Sequence, residues 1–161
     1  MLYFPVFSVN DMDIKIVKLN PSHIDGLESV ENSCFSEPWS RKSLEDLLTC
    51  DYAVYFVAEC DGEVAGYAGM YVSLDTGSIN NIGVLENFRR KGIAAKLLSA
   101  LVEHSRKNGI TLMCLEVRIS NAPAIALYEK FGFKMVAKRR NYYKKPTEDA
   151  LLYNLELENN S

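Results

Sequence analysis

A mixed α/β architecture, one sheet with helices on its faces, is what the periodicities of this 161-residue chain predict. Three observations carry the prediction. A short apolar strand over residues 79–85 leads through a basic, glycine-containing turn into a helix with Ile93, Ala94, Leu97, Leu98, Leu101 and Val102 on one face. Asp61-Gly62 separates two strand-like runs, residues 52–59 and 63–73, as a tight hairpin does. A near-continuous apolar run over residues 110–117 reads as a buried strand, and the helical stretch after it, residues 122–131, is stopped by Gly132.

The other elements fall between these. Residues 13–19 alternate apolar and polar side chains and form a first strand. Asn20 caps, and Pro21 begins, a helix whose stripe is Ile24, Leu27 and Val30. Pro38 fixes the loop Cys34-Phe35-Ser36-Glu37-Pro38-Trp39, and Ser40 caps a second helix carrying Leu44, Leu47 and Leu48. Asp75-Thr76-Gly77 turns the chain out of the hairpin, and Gly109 ends the long helix as a left-handed cap. Residues 133–140 and 150–157 close the chain as strands. The order is β-α-α-β-β-β-α-β-α-β-β. Residues 13–158 are expected to form one domain behind an extension at 1–12, whose apolar start lacks the basic residues and small-residue cleavage site of a signal peptide.

The net charge of −3 gives the molecule no general attraction to nucleic acid or to an anionic membrane. No apolar run approaches the ~20 residues that span a bilayer. Basic residues cluster locally, at Arg89, Arg90 and Lys91, at Lys138, Arg139 and Arg140, and at Lys144 and Lys145, which suits a small anionic ligand better than a nucleic-acid backbone. Four cysteines without C-x-x-C spacing, beside two histidines, predict no metal site and fit a reducing cytoplasm. A monomer or weak dimer is expected.

Arg89-Arg90-Lys91-Gly92-Ile93-Ala94 is the most informative stretch. The first amides of a helix have no partner within it and favour an anion. Gly92 lets backbone approach that anion without a Cβ in the way, and the three cations add charge. The physical reading is a pyrophosphate site. Further on, Glu116 interrupts the apolar run Leu112-Met113-Cys114-Leu115. A carboxylate there is partly desolvated, which raises its pKa and makes it a better base; the alternative is a structural ion pair with Arg118 or a nearby lysine.

These residues carry a family resemblance. The basic turn fits the Arg/Gln-x-x-Gly-x-Gly/Ala signature of the GNAT superfamily of N-acetyltransferases, and the element order after Met12 resembles their fold. Leu115-Glu116-Val117-Arg118-Ile119-Ser120-Asn121, followed by Ala126-Leu127-Tyr128-Glu129 and Gly132-Phe133, resembles the bacterial ribosomal-protein-alanine N-acetyltransferases, the RimI type. So do Phe35-Ser36-Glu37-Pro38-Trp39-Ser40 and Arg139-Arg140-Asn141-Tyr142-Tyr143.

The resemblance implies a central sheet splayed near Val84 and Val117, with acetyl-CoA as cosubstrate. It also implies Ile82, Gly83 and Val84 lining the pantetheine arm, and the Val84 N–H as an oxyanion donor. Arg89, Arg90, Lys91, Gly92, Ile93 and Ala94 would hold the pyrophosphate. Glu116 would accept the proton of the amine through water, and Tyr128 would protonate the departing thiolate. Asn121 would bind CoA, although its position equally suits a helix cap, and Tyr128 equally suits a core. Trp39 and Tyr142 would shape the acceptor pocket, or else pack the core and the last hairpin. The implied acceptor is a protein N-terminus, that of a ribosomal protein, with a small amine, polyamine or lysine side chain as the alternative and a non-catalytic CoA-binding module as a further one. Direct attack without an acetyl-enzyme is expected, because no cysteine sits in either of the two chief motif blocks.

Overall fold

Strand β1 (Ile14–Lys18) opens a computed structural model that describes residues 13–158; the extension expected at 1–12 lies outside the described residues. Then come α1 (Ile24–Cys34), α2 (Arg41–Asp46), β2 (Ala53–Cys60), β3 (Glu63–Ser73), β4 (Thr76–Val84), α3 (Ile93–Lys107), β5 (Leu112–Arg118), α4 (Ala122–Lys130), β6 (Lys134–Lys144) and β7 (Thr147–Glu156), the order read from the sequence. The strands form one sheet in the order β1-β2-β3-β4-β5-β7-β6. Only β4 and β5 run parallel, and α3 is the crossover between them. One core cluster packs α3 and α4 against the sheet through Leu97, Leu98, Leu101, Met113, Leu115, Val117 and Tyr128. A second packs α1 and α2 through Leu27, Val30, Leu44, Val57 and Tyr67. Among the described residues no helix is long and apolar enough to cross a membrane.

Local chemistry accounts for the turns. Asp61 and Gly62 both have positive φ (49° and 83°), the two left-handed residues that a two-residue hairpin of native twist requires. Asn20 caps as expected, but its capping box closes on His23 over a short 3₁₀ turn, and the α-helix begins only at Ile24. The turn after β3 falls on Leu74 and Asp75, not on Asp75-Thr76-Gly77. Gly77 is already in β4, where a Cβ would come within 2.8 Å of the Met70 sulfur, so this glycine serves packing and not the turn.

Two strand assignments change more. The 110–117 run was expected to be a buried strand interrupted by a partly desolvated Glu116. In β5 burial alternates: Met113, Leu115 and Val117 enter the α3/α4 core while Cys114, Glu116 and Arg118 are half-buried on the opposite face. The last hairpin is longer than the 133–140 and 150–157 segments. β6 continues to Lys144 because its register against β7 shifts between Arg139 and Tyr143, so that three residues face one. Asn141 at the centre of this bulge has φ 51°, and its N–H donates to the Asp149 carboxylate at 2.9 Å. Arg118 holds the hairpin end through the Pro146 carbonyl (2.9 Å) and Glu148 (3.3 Å), with its guanidinium over the Tyr143 ring.

Two outcomes are expected from this packing. Leu101→Ala, at a fully buried position, should cost about 3 kcal/mol in chemical denaturation, whereas Leu74→Ala, 98% exposed, should cost no more than about 0.5 kcal/mol. The second concerns pH. Glu148 accepts from the Ser120 N–H at 2.6 Å and pairs with Arg118, so its carboxyl lies below the ordinary 4.5. A depressed pKa contributes stability that is present above 4.5 and lost as pH falls through the lower folded value. Glu148→Gln should therefore unfold more easily than wild type at pH 7, with the gap closing toward pH 3; an equal gap at both would contradict it.

Candidate active site

The basic turn is curled so that amides converge. After β4 the chain makes a 3₁₀ turn (Glu86–Phe88), an element the sequence reading did not include, and then enters the turn proper. Arg90 has φ 62° and Gly92, the N-cap residue of α3, has φ 75°. Left-handed residues alternating with others turn successive N–H groups to one side and make a concavity that binds anions. The first turn of α3 adds its amides and the positive end of its dipole. Gly92 is needed for its φ, since a Cβ there would meet nothing. Arg89 departs from expectation: its Nε donates to the Val84 carbonyl at 3.0 Å and its guanidinium reaches the Cys34 sulfur at 3.8 Å. It pins the end of β4 as well as adding charge.

Beside this turn the sheet opens. β4 pairs with β5 only at Thr76, Gly77 and Ser78, the partners of Leu112, Met113 and Cys114. The register of β4 on β3 then shifts between the Asn81 and Ile79 pairings, leaving Asn80 as an extra, bulged residue. A bulge bends and twists its strand, and here it carries β4 away from β5. The Leu85 N–H donates to Ala65 of β3 at 2.8 Å. Amide directions alternate along a strand, so the Ile82 and Val84 amides point to the edge that β5 has left. The side chains of Ile82 and Val84 are partly buried against the α3/α4 core. Gly83 has a packing reason: a Cβ would come 2.9 Å from Val30 and 3.2 Å from the Phe35 ring.

On the α1/α2 face the opening becomes a groove of about 460 Å³ lined by Trp39, Ser78, Asn80, Cys114, Glu116, Arg139, Tyr142 and Tyr143. Glu116 projects into it from β5. Its ion pair is with Arg139 at 3.4 Å, not with Arg118, which serves Glu148. The Tyr142 hydroxyl faces the Glu116 carboxylate, and losing its proton beside that charge is unfavourable, so the Tyr142 pKa is raised. Tyr143 is pushed up to about 12, chiefly by burial. The two tyrosine rings meet edge to face at 5.1 Å, and Arg139 lies 5.7 Å from the Tyr142 ring centre. Trp39 stacks on Tyr71 with centroids 6.4 Å apart.

Tyr128 sits on the other face of the sheet, in the α3/α4 core beside Phe133. Burial pushes its phenol up to about 12, so it stays protonated through the neutral range. Asn121 caps α4, accepting from the Ala124 N–H at 3.3 Å through its side-chain oxygen. The structure thus brings Trp39, Glu116 and Tyr142 together in one groove, while Tyr128 lies in the α3/α4 core, its phenol within electrostatic reach of Tyr143 of the groove, and Asn121 caps α4. The sequence reading missed Ser78, Asn80 and Cys114 as groove residues and missed Glu31, which is buried near them. Two signals were present: paired asparagines inside a strand, and a glutamate at position 31 in the same helical stripe as Ile24 and Leu27.

Residues 24–133 match the model of the acetyltransferase (GNAT) family. A ribosomal protein bS18-alanine N-acetyltransferase of Escherichia coli K12 is 35% identical over 134 residues, covering 83% of this chain and 88% of that protein. A Bacillus subtilis 168 protein provisionally named for the same activity is 38% identical over 130 residues, 80% of this chain and 86% of its own length. The crystal structure of the E. coli ribosomal-protein-S18-alanine N-acetyltransferase superposes with a TM-score of 0.83 at 32% identity, over 92% of this chain and 98% of that one. Matched along most of its length by family model, relatives and structure alike, the chain belongs to the acetyltransferase (GNAT) family and is an acetyl-CoA-dependent N-acetyltransferase.

Proposed function

We propose that this enzyme acetylates the α-amine of a protein N-terminus, with the N-terminal alanine of ribosomal protein bS18 as its acceptor. The acceptor is taken from relatives named for that reaction. The observation that supports the reading is that Glu116 projects into a groove with Trp39 and Tyr142, while Tyr128 is buried in the α3/α4 core within electrostatic reach of Tyr143 of that groove. An amine entering over Trp39 and Tyr142 meets a carboxylate, while a thioester entering from the α3/α4 side lies along the β4 edge.

In this reading the turn from Arg89 to Ala94 holds the pyrophosphate. The Ile82 and Val84 amides pair with the pantetheine arm as an added strand would. The Val84 N–H donates to the thioester carbonyl oxygen, where negative charge grows during attack. Asn121 uses its oxygen for the cap and offers its NH₂ group to the pantetheine. Glu116 takes the proton of the ammonium, through water, and its partners Arg139 and Tyr142 hold the carboxylate in one orientation. An α-amine of pKa about 8 gives up its proton more readily than a lysine of about 10.4. Tyr128 gives its proton to the sulfur as the C–S bond breaks.

The acceptor is tested by CoA release from acetyl-CoA against peptides with free N-terminal Ala, Ser, Met or Gly, lysine peptides with blocked N-termini, and polyamines. Preference for free N-terminal alanine supports the proposal; turnover of lysine or polyamine alone overturns it. Glu116→Gln should lower kcat by about 10²-fold with acetyl-CoA affinity nearly kept, and Tyr128→Phe should slow the chemical step by about tenfold or more; unchanged kcat in either variant removes that residue from the mechanism. Cys114 lines the groove, so its absence from the motif blocks no longer argues for direct attack. Direct attack still predicts that Cys114→Ala keeps kcat within about threefold, whereas a covalent route through this thiol predicts collapse.

A further inference from the structure

We infer that Glu31 is a positioning residue that sets the acceptor wall, an inference resting on the reading of the Trp39 and Tyr142 groove as the acceptor's. Glu31 is 1% exposed, within the α1 stripe that packs the second core. Its Oε2 accepts from the Trp39 backbone N–H at 2.8 Å. Its Oε1 accepts from the Tyr67 hydroxyl and from Asn81 Nδ2, the latter at 2.9 Å. The network continues to the groove: the Tyr55 hydroxyl donates to Asn81 Oδ1 at 3.3 Å and accepts from Asn80 Nδ2 at 3.3 Å. Asn80 is the bulged residue of β4 and lines the groove with Trp39. One carboxylate therefore ties the loop that carries Trp39 to the bulge that opens the sheet.

An apolar residue would fill this site at lower desolvation cost. It could not hold the N–H of a loop residue. Three donors from three different elements satisfy the carboxylate, and only the Trp39 amide belongs to a segment outside helix and strand. What Glu31 contributes beyond packing is the place of Trp39.

Trp39 is the only tryptophan of the chain, so its fluorescence reports its loop directly. Glu31→Met fills the volume and removes the acceptor for the Trp39 N–H; Glu31→Gln keeps an acceptor oxygen. In Glu31→Met, acrylamide quenching of Trp39 should rise about twofold and the KM for an N-terminal alanine peptide about tenfold, with kcat and acetyl-CoA Kd within about twofold. Glu31→Gln should bring KM back to within about threefold of wild type, and Glu31→Met should add nothing to the KM of Trp39→Ala. If Glu31→Met does not fold, Glu31→Asp, which draws the carboxylate back by one methylene, is read in the same way. Unchanged quenching in the folded variant, additive effects with Trp39→Ala, or an equal loss of acetyl-CoA affinity would overturn the role. Raised quenching with unchanged acceptor KM would show the loop held by Glu31 but the acceptor elsewhere, which overturns the groove reading and the positioning role with it.

Discussion

Two parallel strands that stop pairing after Ser78 leave backbone donors and acceptors pointing into a gap, and the placement of every other part of the site depends on that gap. Backbone amides removed from water must find partners. An edge of this kind suits a ligand that presents carbonyls and amides at strand spacing, and the proposed function gives that place to the pantetheine arm. The bulge at Asn80 is the physical cause of the parting, because it turns β4 while β5 continues straight into pairing with β7. The adjoining turn, with left-handed Arg90 and Gly92, gathers further amides at the start of α3.

A sheet that opens also gives its two faces different tasks. On the α3/α4 side Tyr128 is buried and held protonated. On the α1/α2 side Glu116 is half-buried, paired with Arg139 and open to a groove. In the proposed mechanism a base and an acid kept on opposite sides of one sheet do not neutralise each other. The cost is a polar network under the groove. Glu31, Asn81, Tyr55 and Tyr67 are all buried, and burial raises both tyrosine pKa values. Such a network is tolerated where its members satisfy one another.

Much of this was legible before the structure. The amphipathic helix at Ile93, the Asp61-Gly62 hairpin and the order of elements rest on local signals, namely periodicity and turn chemistry, and these survive folding. The turn from Arg89 to Ala94 and the placement of Glu116 were legible for the same reason. Long-range effects were not. Nothing local tells that Arg89 bends back to the Val84 carbonyl, that Glu116 chooses Arg139 over Arg118, or that Gly77 is a glycine because of Met70. The extended β6 escaped because a bulge mixes residues that pair with residues that do not, and this blurs the period of two.

The central claim is that the two substrates approach one gap from opposite faces of the sheet. A crystal structure with a bisubstrate compound, CoA joined through an acetyl bridge to the amine of an alanine peptide, tests it most directly. The account predicts the pantetheine along the edge of Ile82 and Val84, the linker between Glu116 and Tyr128, and the peptide over Trp39 and Tyr142. A peptide leaving on the α3/α4 side, or a linker out of reach of Glu116, would contradict it.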